Sequence, residues 1–264
     1  MKTHLAARAA LIALALCTVS VALAAEPSFT GKWKFNPQKS QLAGLTYQVE
    51  DAGNGQYTFV FGDDKETLGF DGKEHMTKYG NTWAITPAGS KSWKWVQKRD
   101  GKAFSDATWT VADDGQTSVY TETETRPDGS TSKNETKMKR TAGNATGGLV
   151  GTWEGSETTV GSPTVMEVTA WEGSGYAMKN PTYKGETEFK TDGKEYTPKG
   201  PRVAPGITLT AKAMGGGKLE LTYKLKGKTS ETDTWELSAD GKTLTQTNNY
   251  PGESKAEVDV FDRE

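Results

Sequence analysis

Short alternating runs separated by turn dipeptides constrain the fold of this chain more than any other feature. Runs such as 57–61, 93–96, 207–210 and 219–223 are rich in Thr, aromatic and β-branched residues, and a period of two with such residues is typical of strands. Asn-Gly and Asp-Gly suit tight hairpins because both residues tolerate positive φ. These dipeptides are Asn54-Gly55, Asp71-Gly72, Asp100-Gly101, Asp114-Gly115, Asp128-Gly129, Asp192-Gly193 and Asp240-Gly241. The chain is therefore predicted to be all-β and antiparallel.

The first 25 residues have the pattern of a secretory signal peptide. Lys2 and Arg8 precede an apolar run over 11–23, and Ala22-Leu23-Ala24 matches a cleavage site. The run is shorter than the ~20 residues that a membrane-spanning helix needs, and no later segment is apolar over such a length. We expect residues 1–25 to be removed and the mature protein to be exported, to the periplasm or the extracellular space.

Loss of that segment leaves few reactive side chains. It carries the single cysteine and one of the two histidines, so His75, beside a predicted turn, is the histidine that remains. A chain without thiols and with one histidine offers neither a disulfide, nor a zinc site, nor a nucleophile–histidine pair. The net charge of −2 becomes −4, which argues against nucleic acid as a partner. We predict no catalytic residue, no metal and no cofactor.

The chain repeats itself at a spacing of 120 to 126 residues. Gly31-Lys32-Trp33 recurs as Gly151-Thr152-Trp153, and Arg140 recurs as Arg263. Asp71-Gly72-Lys73-Glu74 recurs as Asp192-Gly193-Lys194-Glu195, and Trp109 recurs as Trp235. A slowly drifting offset is what a duplicated unit with small loop insertions gives. We predict one domain at 26–142, a flexible linker at 143–147 and a second domain at 148–264.

Each predicted unit opens with G-x-W on its first strand and closes with an arginine on its last strand. Gly31 and Trp33 with Arg140, and Gly151 and Trp153 with Arg263, resemble the signature of the lipocalin and fatty-acid-binding-protein group of barrels. The resemblance implies two tandem antiparallel up-and-down barrels, each closed by a contact between Trp and Arg. It also implies that Trp33 meets Arg140 and that Trp153 meets Arg263. A guanidinium over an indole gains a cation–π contact, but such a folding signature transfers no ligand-binding residue.

The repeat also assigns other large side chains to the interior. Trp93 and Trp95 fall at the positions of Leu219 and Leu221 in the second unit, so these four are predicted to face the core or a ligand-binding lumen. The predicted core anchors are Trp109 and Trp235, with Val111 and Leu237 on the same faces.

Three functions fit these observations. The first is a non-enzymatic exported barrel protein that binds a small, partly apolar ligand. The second is an extracellular glycan-binding β-sandwich, which predicts that Trp93, Trp95 or Trp171 lie exposed in a row. The third is a hydrolase that uses paired carboxylates, for which the candidates are Asp63 with Asp64, Asp113 with Asp114, and Glu186 with Glu188.

Overall fold

The computed structural model describes residues 28–146 and 148–264. The predicted signal peptide, 1–25, lies outside the described residues. Within the described ranges the chain forms strands, turns and bends and no α-helix. The described residues include no helix long and apolar enough to cross a membrane.

Nineteen strands make up the fold. They are β1 (Gly31–Phe35), β2 (Thr46–Gly53), β3 (Gln56–Phe61), β4 (Asp64–Gly69), β5 (Glu74–Met76), β6 (Thr82–Pro87), β7 (Ser92–Arg99), β8 (Lys102–Val111), β9 (Thr117–Thr125), β10 (Thr131–Ala142), β11 (Gly151–Thr159), β12 (Val165–Trp171), β13 (Gly175–Asn180), β14 (Gly185–Lys190), β15 (Ile207–Gly215), β16 (Lys218–Leu225), β17 (Lys228–Leu237), β18 (Thr243–Asn249) and β19 (Glu257–Arg263). Two of the seven predicted turn dipeptides have positive φ at both residues, as expected for tight hairpins, namely Asn54-Gly55 and Asp100-Gly101. At the other five only the glycine has positive φ.

The strands form two antiparallel sheets that curl into nearly closed barrels. Barrel I has ten strands in the order β4-β3-β2-β11-β10-β9-β8-β7-β6-β5, and barrel II has nine in the order β14-β13-β12-β1-β19-β18-β17-β16-β15. In barrel II the segment 191–200 lies between the two edge strands, where Lys199 pairs with Glu186 and Tyr196 pairs with Leu209. The prediction of an all-β chain with two antiparallel barrels is confirmed.

Each barrel takes one strand from the other half of the chain. Strand β1 lies between β12 and β19 of barrel II, with Trp33 opposite Met166 on one side and Arg263 on the other. Strand β11 takes the equivalent place in barrel I, between β2 and β10. The predicted ranges 26–142 and 148–264 therefore do not describe the two barrels, because their first strands are exchanged.

The predicted linker at 143–147 lies in sequence between β10 and β11, which pair with each other within barrel I. Strands β10 and β11 pair along their length, with Arg140 opposite Trp153, so the segment between them turns back instead of joining two barrels. A short loop is closed at a small entropic cost, whereas a pairing of β11 with β19 joins residues about a hundred positions apart. The chain crosses between the barrels at 36–45 and 160–164 instead.

The ends of the barrels opposite to the Trp–Arg contacts face each other. Phe61, at the end of β3, packs edge-to-face on Tyr250, which follows β18, with ring centroids 5.0 Å apart. The carboxylate of Glu253 accepts a 2.8 Å hydrogen bond from the Thr46 hydroxyl, and Arg99 donates to the Val203 carbonyl oxygen at 2.8 Å. The two interiors therefore open toward one interface and not toward opposite sides of the molecule.

Candidate functional site

Both barrels are closed by an indole under a guanidinium, but the partners differ from those the sequence predicts. The guanidinium carbon of Arg263 lies 4.1 Å from the ring centroid of Trp33, and that of Arg140 lies 4.0 Å from the ring centroid of Trp153. The expected pairs Trp33–Arg140 and Trp153–Arg263 are wrong because the first strands are exchanged. The kind of contact and all four residues are as predicted.

The Trp–Arg contacts of the two barrels make equivalent hydrogen bonds. Trp33 Nε1 donates to the Phe29 carbonyl oxygen at 2.7 Å, and Trp153 Nε1 donates to that of Leu149 at 2.8 Å. Each guanidinium donates three hydrogen bonds to backbone carbonyl oxygens. Those of Arg263 go to Gly241, Thr30 and Ser28, and those of Arg140 go to Gly115, Val150 and Gly148. Both indoles are fully buried, so these groups hold the barrel ends shut and leave no surface for a ligand.

The glycine of each G-x-W is required by the arginine. Gly151 has a φ of +139°, and a Cβ at this position would overlap Arg140 Nη1 and lie 2.6 Å from the Ala142 carbonyl oxygen. Gly31, with a φ of +143°, stands in the same relation to Arg263 Nη1. The G-x-W pattern is therefore a steric consequence of the way the guanidinium crosses the strand.

Replacing Gly151 by alanine is expected to lower the stability of barrel I. The matched control is Gly101→Ala, since Gly101 also has positive φ (+74°) but has no atom near its Cβ position. Gly101→Ala strains a left-handed φ at a cost of about 1–2 kcal/mol. Gly151→Ala combines a φ that is almost exclusive to glycine with the overlap, at a further cost of about 1–3 kcal/mol. Urea unfolding of the two variants measures this difference. Equal losses would mean that the guanidinium moves aside without cost.

The four residues predicted to face a core or lumen lie on the inner faces of the barrels. Trp95 is 4% exposed in the core of barrel I and borders its cavity. Trp93 is half-buried and lies opposite Trp109 in the strand register. Leu219 and Leu221 are fully buried in the core of barrel II.

A cavity of about 330 Å³ lies in the interior of barrel I and is walled mainly by aromatic rings. We call it the aromatic chamber. Its aromatic side chains are Tyr47, Phe59, Phe61, Tyr79, Trp83, Trp95, Trp109 and Tyr120. Phe59 packs edge-to-face on Trp83 and on Trp95, with centroids 5.9 and 5.2 Å apart. These pairs set the rings at interplanar angles of 74° and 64°, so the cavity is bordered by both ring faces and ring edges.

Polar groups of the aromatic chamber lie on one side and at its mouth. Glu66 and Gln97 border the cavity beside the rings. The buried indole N–H of Trp83 has no hydrogen-bond partner among the described residues. Asp64, at the mouth, accepts hydrogen bonds from Lys78 and from the Tyr79 hydroxyl. The chamber thus combines a large apolar surface with one free donor and a few carboxylate or amide groups.

The interior of barrel II has an apolar part and an acidic part. Trp33, Trp235 and Phe189 fill the end closed by Arg263. Toward the opposite end, four inward-facing carboxylates lie on two strands, which we call the acidic cluster. Its members are Glu231 and Asp233 on β17, and Glu257 and Asp259 on β19.

Burial is the main cause of the raised pKa values in the acidic cluster. The pKa of Asp233 lies well above its usual range because the group is buried and because Glu231 and Asp259 lie close by. Burial, together with the charges of Asp259 and Glu231, raises the pKa of Glu257 to about 7. Burial also raises the pKa of Glu231 and of Asp259. Part of the cluster is therefore protonated near neutral pH.

The sequence analysis did not identify the acidic cluster, although strand parity could have revealed it. Glu231 and Asp233 lie four and two residues before Trp235, a predicted core anchor, and so share its face. Glu257 and Asp259 lie six and four residues before Arg263, so they share its face as well. The signal is the alternation with inward-facing residues, because charged side chains on a strand are otherwise expected in solvent.

The carboxylate pairs that the sequence suggested for a hydrolase lie in surface ion pairs and turns. Glu186 pairs with Lys179 at 2.9 Å, and Glu188 with Lys199 at 3.6 Å. Asp114 caps its own turn through the Gln116 amide. Asp63 is exposed, as is Asp113, whose carboxylate lies 3.3 Å from Lys91 Nζ. Asp64 accepts hydrogen bonds from Lys78 and Tyr79, and it borders a cavity together with Asp63.

The exposed row of tryptophans that a glycan-binding sandwich requires is not formed. Trp95 is buried in barrel I, whereas Trp171 lies at the end of β12 in barrel II with Lys190 Nζ 5.5 Å from its ring centroid.

The remaining histidine, His75, shares a 2.8 Å hydrogen bond with Asp71 beside its turn. Within residues 28–146 and 148–264 no group of three or more His, Cys, Asp or Glu side chains is placed to hold a metal ion.

The fold and its interiors place this chain among all-β proteins with two nearly closed antiparallel barrels. No protein-family model matches the chain, and no curated protein matches its sequence. The aromatic chamber and the acidic cluster are the features of the described structure that bear on its function.

We expect the stability of barrel II to fall as the pH rises from about 4 to about 7. The unfolded chain releases the Glu257 proton near pH 4.3, whereas the folded protein retains it up to about pH 7. Over this interval the folded state binds more protons, so the free energy of unfolding decreases with pH.

The variant Glu257→Gln isolates this effect because it keeps a neutral group in place. Urea unfolding at pH 4.5 and pH 7.5 should show the variant gaining stability relative to the wild type at the higher pH. Glu236→Gln is the control, since Glu236 is exposed and paired with Lys218. A gain at pH 4.5 instead would contradict the raised pKa.

Proposed function

We propose that this protein is an exported, non-enzymatic binding protein that holds a small flat ligand in the aromatic chamber of barrel I. The observation that carries the proposal is the cavity of about 330 Å³ walled by aromatic rings. Binding sites for small molecules have volumes from about 300 Å³ upward and are mostly apolar, with a few polar groups that fix orientation. The aromatic chamber has this size and this composition.

The walls define the chemistry of the ligand. Trp83, Trp95 and Phe59 offer ring faces and edges to a flat apolar or aromatic body. The unpartnered Trp83 N–H would gain from an acceptor on the ligand, such as a carbonyl or ether oxygen. We therefore propose a planar ring system with at least one hydrogen-bond acceptor.

The motifs at the closed ends also support a ligand carrier. The pattern of G-x-W and arginine resembles the lipocalin and fatty-acid-binding-protein group, and small antiparallel barrels either fill their interior with side chains or hold one ligand. Barrel I keeps a cavity behind its closure. Export is part of the proposal and depends on residues 1–25, whose sequence is typical of a signal peptide.

The proposal is tested with residues 26–264 and the neutral probe N-phenyl-1-naphthylamine. Bound in the aromatic chamber, the probe accepts excitation energy from the wall tryptophans, so tryptophan emission should fall while probe emission rises in a saturable titration. Thr136→Phe places a ring in the cavity and is expected to weaken binding at least tenfold. Thr136 lies on β10 and borders the cavity.

The matched control is Thr123→Phe. Thr123 lies on the neighbouring strand β9 of the same barrel but is exposed, so this variant should bind as the wild type does. Absence of saturable binding to the wild type, or equal affinity of both variants, would refute a ligand site in the aromatic chamber.

A further inference from the structure

The acidic cluster lies around two amide side chains of β18. In the strand register Asp233 is opposite Asn248, and Asp259 is opposite Gln246. Gln246 Nε2 donates to Asp233 Oδ2 at 2.9 Å, and Asn248 Nδ2 donates to Asp259 Oδ2 at 3.1 Å. Each amide thus satisfies one carboxylate oxygen on a neighbouring strand. Glu231 is hydrogen-bonded to Asp233 and to Tyr250.

Two buried acceptor oxygens have no hydrogen-bond partner among the described residues. They are Asp233 Oδ1 and Asn248 Oδ1, which belong to residues opposite each other in the register. Asp233 is 1% exposed and Asn248 is 3% exposed. A buried acceptor without a donor costs about 1–3 kcal/mol, and more when it is charged. Apart from the protons that the acids themselves retain, the described structure offers these two oxygens no donor.

The cluster also lacks a positive charge. Within the described structure the groups that act on the four carboxylates are other carboxylates, the two amides and tyrosine, with neither lysine nor arginine among them. The titratable groups that face it from other elements are Tyr223 on β16, Tyr250 after β18, and Tyr47 from barrel I. Buried carboxylates are normally paired, so a cation that donates hydrogen bonds is the missing component.

The fold does not require these acids. Counting back from Trp109, which corresponds to Trp235, barrel I has Ala107 where barrel II has Asp233. Counting back from Arg140, which corresponds to Arg263, it has Thr136 where barrel II has Asp259. The same Trp–Arg contact closes barrel I without acids at these positions, so closure of the barrel does not require them.

An ammonium group fits the cluster better than a metal ion. The described residues include no group of three or more acidic, His or Cys side chains placed as metal ligands, so the oxygens do not converge on one point. A protonated amine needs only to lie within hydrogen-bond distance of two or three acceptors, and it brings three donors and one charge.

Apolar space adjoins the acids. Glu257 and Asp259 border a cavity of about 270 Å³ whose other walls include Phe35, Leu45 and Val160. This cavity lies where the mouth of barrel II meets barrel I, and it has room for a short hydrocarbon body next to the carboxylates.

We propose that the mouth of barrel II is a second binding site, which takes a small organic cation with a protonated primary amine and a short apolar body. The ammonium lies against Glu257 and Asp259, which border the cavity, and the apolar body lies against Phe35 and Leu45. Behind these two acids lie Asp233 and Asn248, whose unpartnered oxygens add to the negative potential of the site. The carboxylates belong to barrel II, so failure of this site leaves the proposal for the aromatic chamber standing.

Calorimetric titration of residues 26–264 with hexylamine tests the site, with 1-hexanol as the neutral counterpart. At pH 7.5 hexylamine should bind at least tenfold more tightly than hexanol. Binding should weaken at pH 5, where the carboxylates hold protons that the amine must displace. The same displacement makes the heat of binding depend on the ionisation enthalpy of the buffer.

Two variants separate this site from any binding elsewhere. Asp233→Asn keeps the shape of the side chain, and Asp259→Thr installs the residue that barrel I has in the same place; each should weaken hexylamine binding at least tenfold. Glu236→Gln, on the exposed face of β17, should leave it unchanged. Three results would each overturn the proposal: equal binding of hexylamine and hexanol, no binding of hexylamine, or full affinity in Asp233→Asn. Each would mean that protons alone satisfy the carboxylates of the acidic cluster.

Discussion

Replacing Trp33 by alanine is expected to destabilise the barrel formed by the C-terminal half of the chain, not the one formed by its own half. Trp33 is fully buried, lies under Arg263 and is bonded to the Phe29 carbonyl oxygen. Removing a buried Trp side chain costs about 3–5 kcal/mol. Since small domains have only about 5–15 kcal/mol of stability, this is a large part of what holds barrel II together.

Hydrogen exchange measured by mass spectrometry locates the loss. In Trp33→Ala, protection should fall in β12, β18 and β19, while β9 and β10 stay protected. Trp153→Ala is the reciprocal variant, because Trp153 lies in barrel I under Arg140; it should expose β9 and β10 at a similar cost in stability. If Trp33→Ala lowered protection in β10, Trp33 would have to pack in the barrel formed by the N-terminal half of the chain, and the strands would not be exchanged.

The architecture was predictable because its signals are local. The alternation in runs such as 57–61 and the Asn-Gly and Asp-Gly turns each depend on a few neighbouring residues, so they indicate strands and hairpins without knowledge of the rest of the fold. The four closure residues, Trp33, Arg140, Trp153 and Arg263, were also recognisable, because the same contact is needed twice.

The exchange of strands was not predictable from those motifs. Gly31 with Trp33 and Gly151 with Trp153 are equivalent, and so are Arg140 and Arg263, so either indole fits under either guanidinium. What distinguishes the arrangements is the chain between the motifs. Residues 143–150 are few enough to close a hairpin between β10 and β11, and this proximity selects Trp153 as the partner of Arg140.

The candidate sites were predictable only in part. Trp95 was placed on an inner face by comparing the repeats, and it does border the aromatic chamber. Phe59, Trp83 and Tyr120 were not identified, because the chamber is formed by strands whose relative positions depend on the whole barrel. The acids of barrel II were missed for a different reason. Asp233 and Asp259 have no acidic counterpart in the first half of the chain, and a comparison of the two halves reveals the residues that the halves have in common.

Two fragments of nearly equal length are expected to behave in opposite ways. Residues 46–160 contain β2 to β11, which is the complete set of barrel I strands, and this fragment should fold alone with a cooperative urea transition. Residues 26–142 follow the sequence repeat but lack β11, so β2 and β10 become open edges, Arg140 loses its indole and β1 has no barrel to join. Unpaired edges and a missing core tryptophan favour unfolding or self-association, so this fragment should show no cooperative transition or should form oligomers.

Mixing the fragments 26–142 and 143–264 should restore both barrels as a 1:1 complex, because each supplies the strand that the other lacks. Size-exclusion chromatography with light scattering gives the stoichiometry, and tryptophan emission reports burial of Trp33 and Trp153. A monomeric 26–142 that unfolds cooperatively would show that β1 can replace β11 beside β10 and that the exchange is not required for folding. If fragments 26–142 and 143–264 fold only as a complex while fragment 46–160 folds by itself, the segment that folds as a barrel differs from the segment that is repeated in the sequence.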